Sequence, residues 1–193
     1  MSEYDLAKEI FTRSFPNERF ISQPPELWKG EFPLPEPVVQ YYRELGASKV
    51  NIENYGNSIF LPSLSGLWDY QAGYRYHPET KERFEGWDDD WLVIADQGAD
   101  PFIYSRQSGE ILHDRHGGGV WEPSEFFPDL PKMVTTFAIM GEIVVNAGED
   151  FTDEDGYMNQ QFINMAKARL DRLFNSSLEA EVILDSFGWL SRA

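Results

Sequence analysis

Three short stretches of this sequence carry side chains that could do chemistry. The first is His113-Asp114-Arg115-His116. Histidine is the commonest ligand of zinc-like metals, and an aspartate between two histidines adds an oxygen donor. On a strand, however, residues three apart point to opposite faces, so His113 and His116 do not converge on one ion by themselves. They read as a pair of surface histidines, with His77, the third in the chain, far away in sequence. His116-Gly117-Gly118-Gly119 also has the form of the oxyanion loop of lipases and esterases, whose backbone N–H groups stabilise a developing negative charge. That chemistry needs a Gly-x-Ser-x-Gly nucleophile turn, which the sequence lacks. The glycine run therefore reads as a turn leading into Trp121.

The second stretch, Trp87-Asp88-Asp89-Asp90-Trp91, sets three carboxylates between two indoles. Magnesium or calcium could take such oxygens only if other segments supplied more ligands. The third is the acidic run Glu149, Asp150, Asp153, Glu154 and Asp155. A calcium loop of the EF-hand kind with Gly156 at its sixth position would start at Phe151 and end at Phe162, where carboxylates are required. Both runs read first as solvated faces, and the first, flanked by tryptophans, is also a fair surface for a cationic protein. The candidate partner-binding residues are accordingly Trp87, Asp88, Asp89 and Asp90. His113, His116 and Trp121 join them if the hairpin end lies beside that loop, and the run Glu149 to Asp155 is the next candidate. Asp96 to Pro101 has one glycine, no lysine and two acids, so it would repel phosphate and reads as a turn. No catalytic residue, metal ligand or cofactor is assigned.

Composition narrows the class. The chain has 193 residues with 33 acids against 16 bases, a formal charge of −17. This length suits one domain, which would bury roughly 70% of the surface its unfolded form exposes. The absence of cysteine excludes disulfides, thiolate metal sites and a thiol nucleophile. Hydrophobic residues at 41% and aromatics at 15% exclude a disordered acidic chain. Affinity for phosphates comes from Lys and Arg displacing counterions, so nucleic acid and anionic membrane faces are disfavoured and a basic protein is the better match. Met1 to Phe15 carries Glu3, Asp5 and Glu9 and no apolar core of signal-peptide length. No stretch approaches the roughly 20 apolar residues of a membrane span, and the expectation is a cytoplasmic protein.

The elements that must position these residues follow from periodicity. Ser2 to Thr12 reads as a helix with a capping box of Ser2 and Asp5 and a stripe of Leu6, Ile10 and Phe11. Six prolines between Phe15 and Pro37 demand an extended, surface-wrapping connection pinned by Trp28 and Phe32. Glu36 to Leu45 reads as a helix with Gly46 past its end. In Leu67 to Tyr76 aromatic and polar residues alternate, which predicts a strand. Trp91 to Ala95 predicts a central strand covered on both faces, and Phe102–Ser105 with Glu110–Asp114 a hairpin turning at Gly109. Asp129 caps a helix with Met133, Phe137, Met140 and Val144 on one face and Pro131 in its first turn. Tyr157 to Phe174 is a further helix with a broad apolar stripe that includes Met165, its positive end facing the second acidic run. The tail after Ser176 has no decisive period. Together these make an α+β chain, with helices packed around a mainly antiparallel, mixed sheet.

The order of these signals resembles that of the SUKH superfamily, the Smi/Knr-like proteins that include many bacterial immunity proteins. The matching pieces are Leu34-Pro35 opening a helix that ends at Gly46, Trp91 to Ala95, Asp100-Pro101-Phe102, and the turn at Ser108-Gly109-Glu110. His116-Gly117, Trp121 and a helix holding Phe137 complete the set. The resemblance covers about residues 34–145, between the proline-rich stretch 15–37 and a C-terminal helical extension 151–193, as one SUKH-like domain. It implies a protein that binds rather than turns over a substrate. Many bacterial members neutralise a toxin, commonly a nuclease or nucleobase deaminase, by occluding it. Other expectations in play are a regulatory scaffold with a non-toxin protein partner and, less in keeping with the residues, a metal-dependent hydrolase using His113, His116 and Asp88 to Asp90.

Overall fold

The computed structural model describes residues 2–190. Five α-helices accompany a six-stranded sheet: α1 (Asp5–Ser14), α2 (Glu36–Glu44), β1 (Val50–Ile52), β2 (Ile59–Leu61), β3 (Trp91–Gln97), β4 (Asp100–Ser105), β5 (Ile111–His113), β6 (Ser124–Phe127), α3 (Leu130–Ala147), α4 (Gln160–Phe174) and α5 (Ser177–Ser186). The strands lie in chain order and every pairing is antiparallel. The sheet is thus a meander, with no parallel pair to make it mixed. β3 and β4 are joined by the two residues Gly98 and Ala99, with φ of +64° and +78°. Two left-handed residues in a row match the twist of a tight hairpin, so the turn expected over Asp96 to Pro101 shrinks to its centre and both flanks belong to strands.

One sheet face meets the helices through Ile52, Ile59, Leu92, Ile94, Phe102, Tyr104 and Phe127. Against it lies α3, whose buried residues run around the whole helix. A helix apolar on all sides is an interior helix; the single stripe expected from Met133, Phe137 and Met140 undercounts it because α1, α2 and α4 cover the remaining sides. Pro131 sits in its first turn, and Asp129 caps it, its carboxylate accepting from Lys132 N at 2.7 Å. Gly141 lets it approach β1: a Cβ there would stand 2.4 Å from Ile52 Cγ2 and 3.1 Å from the Glu53 carbonyl oxygen.

At the helix ends the sequence reading is partly corrected. Asp5 accepts from Ser2 N, but Ser2 Oγ accepts from Tyr4 N and reaches Glu44, so the capping box is only half formed. Leu6 and Met165 are exposed, since the buried face of α1 runs through Ala7, Ile10 and Phe11 and that of α4 through Ala166 and Leu170. None of the second acidic run falls in the first turn of α4, which starts at Gln160 and holds no acid. Glu149 and Asp150 sit instead in a 3-10 turn at Gly148–Phe151. The tail without a decisive period forms α5, opened by Ser176 Oγ accepting from Glu179 N. The last three residues of the 151–193 extension lie outside the described residues.

The predicted strand at Leu67 to Tyr76 is not one. The chain there makes 3-10 turns at Leu64–Gly66 and Asp69–Gln71 and reverses at Gly73, φ +93°. Alternation arose because the aromatics and the polar residues face different neighbours. The side chain of Gln71 donates to Val93 O and accepts from Val93 N, both at 2.9 Å, and Arg75 Nη1 donates to Trp91 O at 2.9 Å. β2 pairs with β3 only at Asp96 and Gln97. Side chains of this segment therefore hydrogen-bond the free stretch of β3 as another strand would, meeting the demand that buried backbone groups be paired.

Candidate functional site

The outer sheet face carries the residues singled out by sequence, and the covering segment builds it. Val93 and Ile103 point outward and are fully buried beneath Tyr70, Tyr74, Trp87, Trp91, Leu112 and Trp121. Burying each such aliphatic side chain stabilises the fold by about 1.5–3 kcal/mol, so the aromatic layer is structural before it is anything else. Trp87 is the hub: its ring meets Trp91 at 5.2 Å and Trp121 at 5.9 Å, both edge-on, and Tyr74 at 6.0 Å. Trp87 is buried, while Trp91 and Trp121 are half-buried. The structure thus brings Trp87 and Trp121 together, although 34 residues separate them in the chain.

The three aspartates do not present a bare negative surface. Asp89 pairs with Arg75 at 3.2 Å and with Arg83, and both cations hold its carboxyl below the usual carboxylate range. Arg106 donates to the backbone carbonyls of Asp89 and Asp90. Asp90 accepts from Ser105 Oγ at 2.7 Å, and Asp88 closes a turn by accepting from Asp90 N. Asp89 alone of the three is ion-paired with arginine, while Asp88 and Asp90 are held by hydrogen bonds within the loop and from Ser105. Arg75 is 5% exposed and lies over the rings of Phe32 and Trp68, where burial pushes its pKa down. Trp28 and Phe32 pin the proline-rich stretch to this place, as the sequence leads one to expect: both rings meet Trp68 edge-on, at 5.7 and 5.6 Å.

The histidines belong elsewhere. His113 is at the end of β5 on the helix-facing side, stacked on Phe102 at 4.4 Å with Nδ1 3.0 Å from Pro101 O. Burial lowers its pKa, so it is a half-buried packing residue and not the surface histidine expected. His116 is exposed on the turn beyond, with its ring and backbone nitrogens on Asp100. Neither reaches the tryptophan cluster. Among the described residues no three His, Asp or Glu side chains gather as a metal ion would require.

Sequence reasoning missed one polar centre on this face. Tyr70 and Tyr74 both donate their hydroxyls to Asp96 Oδ2, the second at 2.9 Å, and burial together with that carboxylate raises both tyrosine pKa values. The signal was hidden because Tyr70 and Tyr74 read as rungs of a strand. Gln71 and Arg75 were missed for the same reason.

The second acidic run lies apart from this face. Its residues Glu149, Asp150, Asp153, Glu154 and Asp155 are exposed, and none has a basic partner among the described residues. Asp153 accepts only from the backbone N–H groups of Asp155 and Tyr157. Fold and surface together define an acidic α+β protein with a meander sheet, one face under helices and the other under an aromatic loop layer. No protein-family model, curated protein or solved structure matches the chain. No helix among the described residues is long and apolar enough to cross a membrane.

Proposed function

We propose that this chain is a binding protein that neutralises a basic toxin by occlusion, as an immunity protein of the SUKH kind does. The observation that carries the reading is the formal charge of −17 together with a run of exposed carboxylates, residues 149–155, that no basic side chain of the described chain answers. A toxin that grips nucleic acid must present Lys and Arg, and long-range attraction would raise its association rate by about 10- to 10³-fold at low salt. The loop at Asp88 to Asp90, whose Asp89 is already paired with Arg75 and Arg83, contributes shape and aromatic surface beside the remaining carboxylates. On this reading the exposed acids attract and the partly exposed indoles of Trp91 and Trp121 are available for contact.

The experiment is co-expression with the product of a toxin gene lying immediately upstream. The expected result is rescue of growth and a complex whose association slows steeply as salt rises. A neighbouring toxin that is neither bound nor blocked would overturn the reading.

A further inference from the structure

β6 is the last strand of the sheet, and between it and α5 runs an open groove of about 430 Å³. Phe127 and Phe174 line it, their rings near-parallel at 6.4 Å, and Leu178 and Val182 of α5 stand over it 71% and 53% exposed. Exposed aliphatic side chains beside an apolar groove leave apolar area in water that a partner could cover.

Three carboxylates from three elements lie along the same groove: Glu110 before β5, Glu125 in β6 and Glu179 in the first turn of α5. None has a basic partner among the described residues. Lys132, whose ammonium lies over the Phe174 ring, donates a hydrogen bond to the Leu173 carbonyl. The register shift in the β5–β6 pairing and Pro128 directly after β6 blunt this edge for backbone pairing. Recognition here therefore rests on side chains.

We infer that this groove is the docking site for a cationic amphipathic segment of the protein partner, its apolar side chains between β6 and α5 and its Lys or Arg on Glu110, Glu125 and Glu179. The inference deepens the proposed function and rests on its basic partner. A second copy of this chain would bring a further charge of −17 to three unpaired carboxylates, and an anionic occupant would be repelled in the same way. A basic segment satisfies both the groove and its rim.

The probe is a fluorescein-labelled octapeptide of alternating lysine and leucine, followed by anisotropy at physiological ionic strength, where the Debye length is about 8 Å. The triple variant E110Q/E125Q/E179Q and, separately, L178S should each weaken binding about tenfold or more, since one removes the rim charges and the other the apolar wall. A charge-matched control in the second acidic run, E149Q/D150N/E154Q, should change it by no more than about twofold, because a peptide held in the groove is largely screened from charges beyond a Debye length. Equal losses in groove and control variants, or groove variants that bind as the wild type does, would overturn the inference. The two proposals fail separately. Wild-type protein that binds the peptide in the groove but neither binds nor blocks its neighbouring toxin sinks occlusion alone. Protection against the toxin with peptide binding indifferent to the groove variants sinks the groove alone.

Discussion

Replacing Glu142 by Gln tests the electrostatic pin that ties three helices together. Glu142 lies on α3 and is 4% exposed. Its Oε1 accepts from Arg13 Nε at 2.7 Å and Ser14 Oγ at 2.8 Å on α1, and its Oε2 pairs with Arg169 of α4 at 2.6 Å. Burial alone would raise its pKa, but the bonds from Arg13, Ser14 and Arg169 outweigh that and lower it to about 2 from the ordinary 4.5. At about 1.4 kcal/mol per unit, a shift of this size corresponds to roughly 3 kcal/mol, and solvent around the half-exposed Arg13 trims the expectation to about 2–3 kcal/mol. The folded-state pKa lies below the unfolded one, so this stability is present above about pH 4.5 and is lost as pH falls toward 2. Urea unfolding of wild type and E142Q followed by circular dichroism should show a gap of about 2–3 kcal/mol at pH 7 that shrinks to less than half at pH 3. Glutamine keeps the shape, so a purely steric loss would be independent of pH. A gap below about 1 kcal/mol at pH 7, or one unchanged at pH 3, would refute the pin.

Two further substitutions probe the scaffold beneath the site. Gly141→Ala should destabilise by about 1–3 kcal/mol in urea unfolding because the new methyl meets Ile52 and the Glu53 carbonyl; a stabilised variant, the usual result of Gly→Ala inside a helix, would show that α3 and β1 are not in such close contact. Gln71→Leu keeps the volume but strips the hydrogen bonds from Val93 N and O, so a loss of about 2–4 kcal/mol is expected, together with faster amide exchange at Val93. Loss of less than about 1 kcal/mol would mean that those groups find other partners.

What could be read from the residues alone was whatever depends on near neighbours in the chain. The run Trp91 to Ala95 announced a strand covered on both faces, and Asp129 with Pro131 announced the start of a helix, because a cap and an apolar period act within one or two turns. Gly46, φ +68° just past α2, likewise marks a local stop. Trp28 and Phe32 were legible as anchors, since large aromatics in a proline-rich stretch have little else to do but bury themselves.

Tertiary structure decided the rest, and always for the same reason: a long-range partner changed what a side chain was for. Leu67 to Tyr76 alternates like a strand, yet Gln71 and Arg75 spend their hydrogen bonds on β3, while Trp68 and Tyr76 join the rings of Trp28 and Phe32 and Tyr70 and Tyr74 join the Trp87 cluster. Asp88 to Asp90 read as one negative run, but Arg75 and Arg83 pair with Asp89 and Arg106 binds the carbonyls of Asp89 and Asp90, from positions 13 residues upstream to 18 downstream of Asp88. His113 and Trp121 are eight residues apart in the chain but lie on opposite sides of the sheet, because strand alternation sent His113 toward the helices and the following turn carried Trp121 back over Trp87. The groove beside β6 was invisible in the same way, being assembled from the ends of elements that only the fold makes neighbours. Charge belongs to the sequence, whereas which charges remain unanswered is settled by what folds against them.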